Sequence, residues 1–165
     1  MSQADEQTQL AYSKRVGQRS QSALIQQVEN LRYVGDSEAR WHDAVAEGLI
    51  TPTRELPFVG VCLLEAGTPV EIKSAAVVYG KTSQRPGRFQ LRESQHEKLV
   101  DAGAMYAFVV GDPSPDRELL AAKIVPAVAV TELVNSWIET ADREPYAQFA
   151  WTRVFSDAAV NGGGQ

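Results

Sequence analysis

The chain has a single cysteine, Cys62, set in the apolar run "FVGVCLL". One thiol excludes an intramolecular disulfide, and no CxxC spacing offers a zinc site. A reduced, intracellular setting is the simplest expectation. Histidine is nearly as scarce: His42 and His96 stand alone, with no second His or Cys at a ligand spacing, and both read as surface residues. No apolar stretch approaches the roughly 18 residues that span a bilayer, and "MSQADEQTQLAYSKR" lacks the apolar core of a signal peptide. The expected compartment is the cytoplasm, without membrane contact. The Walker loop, GxGxxG and GxSxG are all missing, which argues against nucleotide hydrolysis and serine chemistry.

What is present fits one ordinary domain. The chain is 165 residues long, 44% hydrophobic and 22% charged, close to the averages for globular proteins and long enough for a single core. The expected domain runs over residues 18–157, between polar tails at 1–17 and 158–165. A net charge of −5 argues against a protein that coats nucleic acid by bulk electrostatics. The distribution says more. From Ile72 to Arg92 there are five cations (Lys73, Lys81, Arg85, Arg88, Arg92) and no acid, so an anionic partner would be met there.

The pattern predicts elements in the order helix, helix, strand, strand, helix, strand, strand, helix, an α/β or α+β sheet with helices packed on it. Leu24, Ile25, Val28 and Leu31 share a helical face over Ser20–Tyr33, and a second helix is expected from Ser37 to Gly48 with Trp41, Ala44 and Val45 on one side. "PFVGVCLL" and "PVEIKSAAVVY", joined by "EAGT", read as adjacent antiparallel strands. Ser94-Gln95-His96-Glu97 matches a capping box, with Gly103 closing the helix. "AMYAFVVG" has the unbroken apolar character of a strand covered on both faces. "AKIVPAVAV" is a strand that Pro126 sends to an edge. A last helix is expected over Thr131–Ala141. Trp41, Trp137 and Trp151 fall in amphipathic patterns and read as packing anchors.

Two charges interrupt an apolar strand. Glu71 and Lys73 in "VEIKS" lie two residues apart, so both project from one face while Val70 and Ile72 point to the other. An acid-x-Lys triplet arises by chance in a chain of this composition; its location carries the weight. Charges are depleted in strand interiors and costly to bury unless paired or metal-bound. The plain alternative is an exposed cross-strand ion pair.

A strand with acid-x-Lys, then the "GRF" loop, then the "QHEKL…AGAMYAFVV" helix-to-strand unit resembles the PD-(D/E)XK nuclease superfamily, with its restriction-endonuclease-like mixed sheet flanked by helices. In appearance it is nearest to archaeal Holliday junction resolvase-like members, over residues 20–130. The resemblance implies a metal-dependent DNA endonuclease active in recombination or repair, using Mg2+ or Mn2+, with DNA as partner and a homodimer left open. It implies that Glu71 and the Ile72 carbonyl bind the metal, that Lys73 activates water and that Gln95 stands beside the lysine. Hard oxygen ligands and a nearby ammonium suit that chemistry. The family's second carboxylate usually follows a proline, but here Pro57 precedes Phe58. Glu55 is the favoured substitute, with Glu65 next, and Glu29 is the candidate from the first helix. Lys81, Arg85 and Arg88 are the expected phosphate contacts. Two alternatives stay open: a catalytically inactive DNA-binding or assembly protein on the same fold, and an unrelated α/β domain.

Overall fold

The computed structural model describes residue 14 and residues 17–48, 64–78, 84–112 and 119–161. Residues 17–27 are helical (α1) and lead into β1 (Leu31–Tyr33), β2 (Ala44–Ala46) and β3 (Pro69–Ala76). Next come β4 (Arg88–Arg92), α2 (Glu93–Asp101), β5 (Met105–Gly111) and β6 (Leu119–Pro126). After α3 (Ala127–Val130) and a 3-10 turn, β7 (Ile138–Thr140) and β8 (Arg143–Ala150) form a hairpin, followed by a second 3-10 turn and α4 (Asp157–Asn161).

The main sheet has the order β1-β2-β3-β5-β6; β3 and β5 are parallel and the other pairs antiparallel. This mixed sheet, with helices and a second sheet against it, is the α+β fold that the pattern implies. β5 is covered on both faces. Its Ala107 and Val109 join Leu24 of α1 and Val28 just after it, together with Val70 and Ile72, in one core. Tyr106, Phe108 and Val110 face the other way, into a core shared with Ala75, Phe89, Leu91, Leu99 and Phe149. β6 is the sheet edge, and Pro126 is its last residue, where the missing N–H breaks no interior ladder.

The segment between β3 and β5 builds the second layer. β4 pairs with β8, and β8 with β7, in a small sheet. The Phe89 ring packs tilted against Phe108, with centroids 4.7 Å apart, joining that sheet to β5. The start of β4 presses directly on the main chain of β3: the Gly87 N–H donates to the Ala76 carbonyl at 3.1 Å, and a Cβ at Gly87 would overlap that carbonyl. Trp151 is buried and donates from Nε1 to the Val77 carbonyl at 2.8 Å, a packing anchor as expected.

Several expectations are corrected. The first helix stops before residue 28, and Leu31–Tyr33 is a strand paired with β2. No helix covers 37–48: a turn at 36–38 is followed by β2. Its apolar pattern fits a helical face, but the three-residue strand gains ladder hydrogen bonds on both sides, to β1 and β3, and tertiary pairing overrides local preference. The expected helix at Thr131–Ala141 is instead a 3-10 turn and β7, because Ile138–Thr140 pairs with β8. The capping box does not form. α2 begins at Glu93, so Ser94 is already inside it, and its N–H and hydroxyl donate to Glu144 from β8. The strand expected at "PFVGVCLL" lies outside the described residues, Cys62 included, except for its last residue, Leu64, which is buried and belongs to no strand. Among the described residues, no helix is long and apolar enough to cross a membrane.

Candidate active site

Strand alternation places Glu71 and Lys73 on the face of β3 covered by α2, opposite to Val70 and Ile72. Both are largely withdrawn from water, Glu71 to 4% exposure. Lys73 Nζ contacts Glu71 Oε1 at 2.5 Å and donates to Gln95 Oε1 at 3.2 Å. Gln95 is in turn held by its amide, which donates to the Trp41 carbonyl at 3.2 Å. One acceptor on each side thus fixes the ammonium, and the loop before β2 fixes the glutamine.

A second carboxylate, Asp43, stands beside Glu71, and the sequence pattern does not single it out. The antiparallel register pairs Ala44 with Val70, so Asp43, the residue just before β2, stands beside Glu71. Asp43 Oδ2 accepts the Ile72 N–H at 2.9 Å, and the Asp43 N–H donates to the Val70 carbonyl at 3.0 Å. These bonds clamp Asp43 against the edge of β3. Because N–H and C=O of one residue in a strand point to the same side, the Ile72 carbonyl faces that edge too.

Burial pushes the Glu71 carboxyl up to about 7; Lys73 opposes the shift, and the charge and hydrogen bonding of Asp43 add to it. Oε2 of Glu71 is buried with no hydrogen-bond partner. Two adjacent carboxylates, one holding an unpartnered buried oxygen, favour either a shared proton or a cation. The oxygen donors of Asp43, Glu71 and the Ile72 carbonyl suit a hard divalent cation. Among the described residues, no group of three or more His, Cys, Asp or Glu side chains gathers around a common point, so a cation here would rest on two carboxylates and main-chain oxygen.

The other anticipated residues fall elsewhere. Glu65 is exposed before the turn into β3, and its carbonyl accepts the Thr68 N–H. Glu29 is exposed in the turn after α1, beside Asn30, whose carbonyl accepts the Glu47 N–H. Both lie at the Ala46 end of β2, whereas Asp43 is at its other end; the structure does not bring them to Glu71. Glu55 and Lys81 lie outside the described residues. Arg85 is exposed, and Arg88 is exposed on β4.

His96 is not a surface residue. It is buried at 4% exposure, with Nδ1 against the Tyr106 hydroxyl and Nε2 against Thr131 Oγ1, both at 3.0 Å. Burial lowers its pKa. Tyr106 pairs with Glu71 across the parallel ladder, and burial, then the Glu71 charge, raise its hydroxyl pKa. His42 is half-buried beside Asp43, with Nδ1 buried and unpartnered.

A family model described as the PD-(D/E)XK nuclease superfamily domain matches residues 7–156. Comparison with curated proteins and with solved structures returned no match.

Proposed function

Because the chain belongs to the PD-(D/E)XK nuclease superfamily, we propose that it hydrolyses DNA phosphodiester bonds at the Asp43, Glu71 and Lys73 cluster, with Mg2+ or Mn2+. The observation that carries this reading is the Asp43–Glu71 pair. Its orphan Oε2 sits where the acid of the acid-x-Lys motif meets a second carboxylate. That second acid also weighs against the inactive-fold alternative, whose main support is the missing Pro-Asp.

Asp43, Glu71 and the Ile72 carbonyl would hold the cation, which supplies positive charge to offset the negative charge building on the phosphate. Lys73 does the rest at close range. Its ammonium, held between Glu71 and Gln95, has a third N–H with which to orient a water against phosphorus. Gln95 is a positioning residue that keeps this ammonium from folding fully onto Glu71. Lys81, Arg85 and Arg88 neutralise neighbouring phosphates.

Branched DNA is the substrate to try first, from the likeness to resolvase-like members, with linear duplex beside it. Incubation with each in Mg2+, Mn2+ and EDTA tests the proposal: metal-dependent nicks that vanish in Asp43→Asn and Lys73→Ala support it. Intact DNA under every metal condition sinks it. Replacing Arg85 and Arg88 by Ala should flatten the salt dependence of duplex binding by roughly 0.9 log units per lost contact, similarly for different sequences.

A further inference from the structure

Alternation in β4 sends Phe89 and Leu91 into the core and leaves Arg88, Gln90 and Arg92 exposed on the opposite face. On β8, Ala150, Gln148 and Tyr146 stand across from them. Gln148 Nε2 donates to Gln90 Oε1 at 3.1 Å across this pair. Farther along, the β7–β8 register slips between Ile138 and Thr140. The slip brings Arg143 to the same face, where its guanidinium lies 3.7 Å above the Tyr146 ring. Glu144 turns the other way, toward α2, where hydrogen bonds from Ser94 hold its carboxyl below the usual range, helped by the nearby charges of Arg92 and Lys98. Ile138 and Thr140 complete the face on β7.

The outward positions of this sheet therefore carry Arg88, Arg92 and Arg143, two glutamines and a covered tyrosine. The acids of these strands, Glu139 and Glu144, are also exposed but alternate to the other side, where the charge of Arg92 reaches Glu144. In a chain of net charge −5, such a face attracts anions against the average. It also adjoins the site. Arg92 directly precedes α2, and Gln95 follows within about one helical turn.

We propose that the outer face of the β4-β8-β7 sheet is a second DNA contact surface, which holds the sugar-phosphate backbone of a duplex arm extending beyond the cleaved position. The proposal rests on the DNA reading above. Guanidinium forks and amides match phosphate oxygens. Arg88 and Arg92, four residues apart in a strand, are separated by about 13 Å, so they engage different phosphates. Base stacking is not what the face offers, because Arg143 covers the Tyr146 ring and leaves no bare aromatic platform. The backbone of paired DNA is the occupant that this chemistry selects.

The test compares Arg92→Ala/Arg143→Ala, Gln90→Glu/Gln148→Glu and Arg92→Lys/Arg143→Lys with wild type, by anisotropy on a long and a short duplex in Ca2+ over a salt series. The alanine pair should lower affinity for the long duplex by about tenfold and reduce the salt slope by roughly 0.9 per lost contact. The glutamate pair, at exposed positions that leave the core intact, should also weaken binding, and the lysine pair should restore the slope. In cleavage of long DNA the loss should appear in KM rather than kcat. Wild-type affinity and slope in the alanine and glutamate pairs would overturn this surface alone, while a wild-type chain that binds no DNA overturns it together with the DNA reading. A change in oligomeric state by light scattering, without a change in DNA affinity, would give the face to a second copy of the chain and overturn the proposal.

Discussion

The carboxylate of Asp43 accepts the main-chain N–H of Ile72 at 2.9 Å, tying the acid before β2 to the residue between Glu71 and Lys73. Asp43→Asn keeps the shape and an acceptor for that N–H but removes the charge. It should weaken Mn2+ binding by at least the roughly 10- to 100-fold that losing a supporting partner costs, while Glu65→Gln leaves binding intact. Calorimetric titration of both variants decides. Undiminished binding in Asp43→Asn would move the second carboxylate elsewhere in the chain.

Glu71 makes metal-free stability depend on pH. Its carboxyl titrates near 7 in the folded chain, above the ordinary value of 4.5, so its contribution is fully present below about pH 4.5 and is lost as pH rises through 7. In EDTA, Glu71→Gln should therefore gain on wild type between pH 5 and pH 8, by on the order of 1–3 kcal/mol or several degrees in Tm. Mn2+ affinity of the wild type should run the opposite way, rising to about pH 7 and then levelling, since the ligand must be ionised. A Tm difference that is flat with pH would contradict the buried, raised carboxyl.

Lys73→Ala should fold and still take up Mn2+ at pH 8, yet lose cleavage by roughly 10²- to 10⁴-fold, the range for a positioned proton-handling group. Gln95→Leu should lose less, and adding it to Lys73→Ala should cost almost nothing more, because both act through one ammonium. Single-turnover rates on the same DNA would show this. Additive losses would give Gln95 a role of its own.

Gly87→Ala tests how the layers are joined. The new methyl group would meet the Ala76 carbonyl and push β4 off β3, at a cost of about 1–3 kcal/mol. Both Tm and cleavage should fall, since β4 runs straight into the helix that carries Gln95. Retention of full stability and rate would show that the two layers tolerate separation.

Much of this arrangement was legible because it rests on simple periodicities. Glu71 and Lys73 share a face by the two-residue repeat of a strand, the unbroken apolar run at β5 announced a strand buried on both sides, and Pro126 marked an edge. Asp43 was hidden for a physical reason. β2 is three residues long, too short to show its own period, and Trp41, Ala44 and Val45 around it mimic a helical face. Its partner strand lies more than twenty residues downstream, so only the register reveals that Asp43 meets Glu71. The β7–β8 hairpin was masked in the same way, by Leu133, Val134 and Trp137 at helical spacing. His96 was misjudged because its partners, Tyr106 and Thr131, come from separate elements.

The pairing of β4 with β8 sets an order on biosynthesis. Asp43, Glu71, Lys73 and Gln95 have all left the ribosome once Gln95 has emerged, before β5 brings Tyr106 to pair with Glu71. At that moment, β4 still has a bare ladder edge, and Phe89 and Leu91 lack Phe149 and Ala147 across from them. A nascent chain stopped before residue 143 would carry these four residues beside an unsealed, adhesive β4. The small sheet therefore closes only when residues 143–150 arrive to pair with β4.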